Sequence, residues 1–87
     1  MSTLDKRAVR DRLAWAWGDA VARRRAAVGL TQIELARRCA VEQQTISKIE
    51  HGRLIPRDEL KHAIASALGT VPWRLFAWPG QPDAFLG

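Results

Sequence analysis

The 87-residue sequence predicts an all-α fold, a compact bundle of four to five helices. Apolar residues recur at steps of three to five along most of the chain, which is the spacing of one buried helical face. The alternation of apolar and polar residues that marks a strand is not visible in the sequence. With 47% apolar residues, the chain can build one small hydrophobic core, and its length suits a single domain.

The first predicted element is a helix over residues 4–28. Thr3 is its predicted N-cap, and Gly29 stops it as a C-terminal cap. Because glycine destabilises a helix interior by about 1 kcal/mol, Gly18 leaves two alternatives, one long helix or two pieces hinged near that residue. The apolar face of this segment consists of Leu4, Val9, Leu13, Ala16, Trp17, Ala20, Val21 and Val28.

Two short predicted helices follow, with almost no chain between them. Thr31 opens the second helix, and Glu34 three residues later completes a capping box. The third helix spans roughly residues 42–50 and is closed by Gly52, and the break at 39–41 contains neither glycine nor proline. Two short helices joined by a three-to-four-residue turn form a helix-turn-helix, whose second helix is placed to enter the major groove of DNA.

The rest of the chain predicts a fourth helix that ends at Gly69 and a short fifth helix after it. Thr70 is the predicted N-cap of the fifth helix, and Pro72 suits its first turn because the proline ring already has a helical φ. The apolar stripe of the fourth helix consists of Leu60, Ile64, Ala67 and Leu68.

We expect three segments: a helical extension (1–17), a helix-turn-helix domain (18–78) and a non-helical tail (79–87). The chain carries more aromatic surface than a small core needs, namely Trp15, Trp17, Trp73, Trp78 and Phe85. We expect these residues to be mostly core or interface residues. The extension would then pack against the fifth helix and the tail, either closing the monomer or forming a dimer.

The charge of the chain favours a polyanionic partner. The formal net charge is +5, and the basic residues are concentrated in residues 1–57, which carry twelve Lys or Arg against six Asp or Glu. Residues 58–87 carry two against three. A basic domain with a near-neutral remainder is typical of a protein that binds nucleic acid.

Several other classes of function are not favoured by the sequence. No apolar run approaches the roughly 20 residues that cross a bilayer, so we expect a soluble cytoplasmic protein without a membrane partner. One cysteine and two distant histidines predict no metal site and no cofactor. Paired carboxylates, a Ser-His arrangement and a phosphate-binding loop are missing, so we expect no catalytic residue and no enzyme activity.

The spaced motif of the chain resembles the phage-repressor/Cro-type helix-turn-helix family, which implies a lambda-repressor-like fold. The resemblance covers about two thirds of the chain, from near Gly18 to near Phe76. It is carried by Gly29-Leu30-Thr31-Gln32, Leu35-Ala36, Val41, Gln43-Gln44-Thr45-Ile46-Ser47, Ile49-Glu50, His51-Gly52, Pro56 and Ile64-Ala65-Ser66-Ala67-Leu68-Gly69.

The resemblance implies that the start of the third helix reads bases. A glutamine amide there can pair bidentately with adenine. Base contacts are expected from Gln43 and Gln44, with Ser47 and Lys48 one turn further along. Gln32 is expected to bond a phosphate and brace the recognition helix, and Arg25 to form an ion pair with Glu50. Phosphate contacts are expected from Gln32, Thr31, Thr45, Arg53, Arg57, Arg24 and His51.

The sequence departs from the family pattern at a few positions. Ala40 stands in the turn where glycine is common, which costs around 1 kcal/mol if its φ is positive. Glu42 stands at the N-cap of the third helix, where a carboxylate would repel phosphate, and we expect it to accept a hydrogen bond from cytosine N4. The apolar residues Ile33, Leu54 and Ile55 replace polar ones and are a candidate surface for a protein partner.

These features together predict a sequence-specific transcriptional regulator that binds a double-stranded DNA operator. The expected type is a phage or prophage repressor, Cro-like or an immunity repressor, that binds as a homodimer, with a monomer as the alternative. A rival hypothesis is an antitoxin that binds a toxin through the tail or the surface of Ile33, Leu54 and Ile55 and autoregulates its operon.

Overall fold

A computed structural model of the chain describes residues 5–78, and these residues form five helices without any strand. The all-α prediction is confirmed. The helices are α1 (Lys6–Ala27), α2 (Gln32–Arg38), α3 (Gln43–Glu50), α4 (Asp58–Ala67) and α5 (Pro72–Leu75).

Helix α1 is one continuous helix of 22 residues, so the alternative of a hinge near Gly18 is wrong. Gly18 has a packing role instead, because a Cβ atom at this position would overlap the carbonyl oxygen of Ile49 and lie 2.9 Å from that of Glu50. The N-cap is Asp5, whose carboxylate accepts a hydrogen bond from the Arg7 amide at 2.9 Å. The predicted cap, Thr3, lies outside the described residues.

The start of α5 differs by one residue from the prediction. Its N-cap is Val71, not Thr70, and no side chain among the described residues caps the helix. Pro72 explains the difference, because a proline disfavours helical geometry in the residue before it, and Val71 is extended with φ −118° and ψ 152°. The amide of Thr70 donates back to the carbonyl of Ala65 at 2.9 Å and so belongs to the end of α4.

Every described helix contributes to one hydrophobic core, and each Leu or Ile buried there stabilises the fold by roughly 1.5–3 kcal/mol. The core consists of Leu13, Trp17, Val21, Leu35, Ala36, Ile46, Ile49, Ile64, Leu68, Leu75 and Phe76. The residues that α3 contributes, Ile46 and Ile49, are fully buried. They fix one face of α3 against the bundle and leave the opposite face in solvent.

Trp17 joins α1 to the end of the described chain. Its indole N–H donates to the carbonyl of Ala77 at 2.7 Å, and its ring meets Phe76 edge to face at 5.8 Å between centroids. The ammonium of Lys61 lies 4.3 Å from the Trp17 ring centroid and adds a cation–π contact. The expected packing of the extension against the fifth helix is therefore observed at Trp17, whereas its expected contact with Phe85 lies outside the described residues.

The other three tryptophans do not fill the core. Trp15, Trp73 and Trp78 are 67%, 57% and 57% exposed. Trp17 is thus a core residue, and an interface role for the other three stays a prediction.

Candidate nucleic-acid interface

The turn between α2 and α3 is held to the end of α2 by two backbone hydrogen bonds. The amide of Ala40 donates to the carbonyl of Arg37 at 3.1 Å, and the amide of Val41 donates to that of Ala36 at 3.0 Å. Ala40 has a φ of +56°, in the left-handed region. That conformation costs a residue with a Cβ roughly 1–2 kcal/mol, so the tight turn of this helix-turn-helix contains local strain.

The N terminus of α3 faces solvent with its polar side chains. Glu42 is the N-cap, and its side chain makes no capping bond to any residue of the described chain. Glu42, Gln43, Gln44 and Lys48 are exposed, whereas Thr45 and Ser47 are partly buried. The first turn of a helix has free N–H groups and a partial positive charge, which suit it to approach an anionic surface.

A chain of side-chain hydrogen bonds connects α1, α3 and α2. Arg25 donates from Nε to Oε2 of Glu50 at 2.6 Å and from its second terminal nitrogen to Oε1 at 2.9 Å. Gln32 donates to the same Oε1 of Glu50 at 2.8 Å, and Gln43 donates to Oε1 of Gln32 at 2.8 Å. We call these four residues the relay.

The inner part of the relay is shielded from solvent. The side chains of Arg25 and Glu50 are 19% and 5% exposed. Arg25 also donates to the carbonyl of Leu30 at 2.9 Å, so its guanidinium ties the end of α1 to the start of α2. The hydrogen bonds to Glu50 raise the pKa of Arg25, and partial burial opposes them only in part. The pair of Arg25 and Glu50 is therefore a charged anchor for the two glutamines of the relay, Gln32 and Gln43.

The outer end of the relay orients Gln43. One of its two side-chain N–H groups is used by Gln32, which leaves the second N–H and the carbonyl oxygen pointing to no other described side chain. A donor and an acceptor on one planar amide are the groups that match the N7 and N6 atoms of adenine. Gln44 is exposed beside it and makes no side-chain bond within residues 5–78.

Thr31 and Glu34 form the predicted capping box at the start of α2. The Thr31 hydroxyl accepts from the Glu34 amide at 3.0 Å, and Glu34 accepts from the Thr31 amide at 2.8 Å. The hydrogen bond from the Thr31 backbone lowers the pKa of Glu34. The Thr31 hydroxyl can still donate its own hydrogen, so this cap and a phosphate contact are compatible.

Arg24 forms hydrogen bonds with the end of α4. Its Nε donates to the carbonyl of Leu68 at 2.9 Å, and a terminal nitrogen donates to that of Gly69 at 3.2 Å. These carbonyls end α4, where a cation also complements the helix dipole. The structure thus gives Arg24 a capping role, and the phosphate contact expected of it stays a prediction.

His51 caps the C terminus of α3. Its Nδ1 lies 2.7 Å from the backbone carbonyl of Ser47 and 3.4 Å from the Ser47 hydroxyl. Arg53 and Arg57 are exposed on the loop that follows, on either side of Leu54, Ile55 and Pro56.

The apolar residues expected to form one partner surface lie in different places. Ile33 is 53% exposed on α2. Leu54 and Ile55 are partly buried and line a shallow groove of about 320 Å³ with the start of α4, and Ile33 does not line it. Ile33 thus lies on α2, and Leu54 and Ile55 lie on the loop after α3. A partner surface formed by these residues stays a prediction.

Other kinds of site are not supported within residues 5–78. No three His, Cys, Asp or Glu residues of this range lie together as a metal site would require, and no helix in it is long and apolar enough to cross a membrane. Cys39 is partly buried against the core, and burial raises the pKa of its thiol.

A second groove was not predicted from the sequence. It lies between α1 and the loop after α3, and Arg10 and Arg53 both line it. Arg10 belongs to a segment that the family resemblance does not reach, and no spacing rule connects it to Arg53. The only sequence signal was the concentration of positive charge in the first part of the chain.

The comparisons with known proteins agree with this geometry. A model of the helix-turn-helix domain family matches residues 17–75. An uncharacterised HTH-type transcriptional regulator of Methanothermobacter thermautotrophicus is 55% identical over 42 residues, which are 48% of this chain and 61% of that protein. The matched segment thus spans less than two thirds of that relative.

Two solved structures share the fold. The clp gene regulator ClgR from Corynebacterium glutamicum has a TM-score of 0.70 and 33% identity, over 72% of this chain and 67% of that one. A hypothetical transcription factor, NHTF from Neisseria, has a TM-score of 0.66 and 26% identity, over 91% of this chain and 86% of that one. The match to the family model and these related folds establish that the chain belongs to the helix-turn-helix domain family.

Proposed function

We propose that this protein is a sequence-specific regulator of transcription that binds double-stranded DNA, and that it acts as a repressor of the phage or prophage type. The observation that carries the proposal is the relay, because it holds the amide of Gln43 at the exposed start of α3 through the partly buried pair of Arg25 and Glu50. Two of the related proteins are named as an HTH-type transcriptional regulator and as the clp gene regulator ClgR.

In this proposal α3 lies in the major groove and reads bases from its N-terminal half. Gln43 and Gln44 pair with base edges, and Ser47 and Lys48 extend the contact by one turn. Glu42 accepts a hydrogen bond from cytosine. The bond from Gln43 to Gln32 restricts the reading amide before DNA arrives, which reduces the entropy lost on binding.

Residues around α3 would hold the DNA backbone without reading its sequence. Thr31 and Gln32 belong to the start of α2, Thr45 to α3, and His51, Arg53 and Arg57 to the chain after α3. Gln32 already donates to Glu50, so its remaining N–H would contact the phosphate. Each cationic phosphate contact contributes about 0.9 to the slope of log affinity against log salt concentration.

The protein would act by occupying an operator and blocking polymerase, in the cytoplasm and without chemistry or a cofactor. One recognition helix reads only a few base pairs, so we propose a homodimer on a near-palindromic site. The assembly is tested by sedimentation with and without DNA at micromolar concentration. A monomer mass in both samples would exclude the dimer.

The recognition helix is tested by selecting binding sites from random DNA with the wild type and with Gln43→Ala and Gln44→Ala. We expect a defined motif for the wild type, a loss of roughly 1–3 kcal/mol for each variant, and a relaxed preference at one base position each. His62→Ala, at an exposed position of α4, is the control and should leave the motif unchanged. Wild-type motif and affinity in both glutamine variants would contradict the assignment.

Repression is tested separately, with a reporter promoter that carries the selected motif. Expression of the protein should lower the reporter signal, and expression of Gln43→Ala should restore it. An antitoxin would instead require a toxin as its binding partner, and nothing in the described residues favours that alternative over repression.

A further inference from the structure

Helix α1 passes close to the backbone at the end of α3 and continues beyond it. Gly18 packs against the carbonyl oxygens of Ile49 and Glu50, which belong to the last turn of α3. Nearer the start of α1, Gly52 has a φ of +72°, and a Cβ there would lie 3.1 Å from the Cα atom of Trp15. The N-terminal half of α1 is thereby held beside the loop that leaves the recognition helix.

A groove of about 300 Å³ lies between these two segments. Arg10, Asp11 and Ala14 line it from α1, and Gly52, Arg53, Leu54 and Ile55 line it from the loop. Ala14 and Gly52 have no bulky side chain to fill the groove, so the three charged residues border an open space beside the apolar surface of Leu54 and Ile55.

The charges of the groove are not paired with one another or with other charges among the described residues. Arg10, Asp11 and Arg53 are exposed, and none of them forms an ion pair with another residue between Asp5 and Trp78. Two guanidinium groups against one carboxylate leave one net positive charge. Guanidinium is planar and presents paired donors that match the oxygens of a phosphate.

The groove also adjoins the proposed recognition helix. The amide of Arg53 donates to the carbonyl of Lys48 at 2.8 Å, so the residue that lines the groove is bonded directly to the last turn of α3. When α3 lies in the major groove of DNA as proposed, a side chain at this point is beside the sugar-phosphate backbone that borders the major groove.

We propose that Arg10 and Arg53 together bind one backbone phosphate of the DNA that flanks the base-reading site. The helical extension is then part of the DNA interface and lengthens the contact beyond the helix-turn-helix. Arg10 helps to fix the position of the protein on the DNA and contributes affinity, without contacting a base. Asp11 weakens the site because its carboxylate repels the phosphate. This inference rests on the proposed DNA binding.

The test compares Arg10→Ala with Arg12→Ala, an equal loss of charge at an exposed position of the same helix that does not line the groove. On a duplex with long flanks, Arg10→Ala should lower affinity roughly two- to fivefold. It should also reduce the salt slope, but by less than about 0.9, because Arg53 still neutralises the same phosphate. Arg12→Ala should change the affinity and the salt slope much less. Asp11→Asn should raise the affinity.

Two further measurements locate the contact. The effects of Arg10→Ala and Arg53→Ala should be less than additive in the double variant, because both residues bind the same phosphate. As the flank of the duplex is shortened, the difference in affinity between wild type and Arg10→Ala should disappear at one particular duplex length, where the phosphate that Arg10 binds is removed. Equal effects of Arg10→Ala and Arg12→Ala, or a difference that persists on the shortest duplex, would overturn the proposal.

The outcomes separate this inference from the proposed function. If the wild type binds duplexes without sequence preference and Arg10→Ala still weakens binding in the length-dependent way, sequence-specific regulation fails and the phosphate contact stands. If a motif is selected and Arg10→Ala binds it like the wild type, the phosphate contact fails alone. Binding of inorganic phosphate at Arg10, seen by NMR, with no effect of Arg10→Ala on duplex affinity would also overturn it.

Discussion

Gly18 of α1 lies directly against the backbone carbonyl oxygen of Ile49 in the last turn of α3. Ile49 is fully buried, so the contact joins two helices at the core side of the recognition helix. The absence of a side chain at residue 18 allows the helix backbones to approach this closely. The contact therefore helps to set the angle at which α3 packs against α1.

Replacement of Gly18 by alanine should destabilise the fold. The new Cβ would collide with backbone atoms of Ile49 and Glu50, which cannot rotate away as a side chain can. We expect a loss of about 1–3 kcal/mol, even though alanine favours a helix interior. Thermal unfolding measures this loss of stability.

Ala26→Gly, at an exposed position of α1, is the control, because it measures the effect of an alanine–glycine exchange on helix stability alone. A raised Tm in Gly18→Ala would show that α1 and α3 can move apart at no cost in stability.

Ala40→Gly should stabilise the protein. Glycine adopts the φ of +56° without the clash that a Cβ causes, and this gain of roughly 1–2 kcal/mol exceeds the added entropy of glycine in the unfolded chain. A net gain of about 1 kcal/mol corresponds to a rise in Tm of roughly 4–8 °C for a domain of this size. An unchanged or lower Tm would mean that the turn relaxes around alanine without strain.

Glu50→Ala should be the most damaging change in the relay. It leaves the guanidinium of Arg25 without its carboxylate and Gln32 without its acceptor, in a region where Arg25 is 19% exposed. We expect a loss of about 3 kcal/mol in chemical denaturation, near the lower end for a broken buried pair. DNA affinity of the folded fraction should fall as well, because Gln43 loses its brace.

The matched control for that change is Asp19→Ala. It breaks the pair of Asp19 and Arg23, whose side chains are 43% and 81% exposed, and it should change stability by less than about 0.5 kcal/mol. Similar losses in Glu50→Ala and Asp19→Ala would show that the relay contributes no more than a surface pair.

The capping box predicts a specific dependence of stability on pH. The pKa of Glu34 is lowered in the folded state, chiefly by the backbone hydrogen bond from Thr31. The folded state therefore holds this proton less tightly than the unfolded state, and the stabilisation is present above the unfolded pKa of about 4.3. It is lost as the pH falls below that value and through the lower folded pKa.

Urea denaturation of the wild type and of Glu34→Gln at a series of pH values measures this dependence. The wild type should be the more stable protein near neutral pH, and the difference should shrink as the pH falls below about 4. A difference that is constant with pH would show that the negative charge of Glu34 has no part in the cap.

Features that depend on a few neighbouring residues were predictable from the sequence. The capping box needs only Thr31 and Glu34. The positions of α2, α3 and α4 follow from apolar spacing, with glycines that close α3 and α4. The family motif likewise depends on residue types at fixed spacing, so fold class and family could be predicted together. The start of α5 was missed by one residue because Thr70 was favoured as a cap over the residue next to Pro72.

Features that join distant parts of the chain were decided by the tertiary structure. The sequence left open whether Gly18 is a hinge within α1. Only its contact with the carbonyl oxygens of α3 shows why glycine is needed there. Arg24 and Arg25 are adjacent and chemically identical. The family resemblance implied the pair of Arg25 and Glu50, whereas only the structure shows that Arg24 caps α4 across 44 positions of sequence.

The physical reason is the range of the interactions. Helix periodicity and capping act within about four residues, so the sequence by itself determined the helices, the turn and the exposed glutamines of α3. Hydrogen bonds and close backbone contacts between helices depend on where packing places each side chain. The roles of Gly18 and Arg24, the partner of Gln43, and the groove shared by Arg10 and Arg53 were therefore determined only when the core brought α1 against α3.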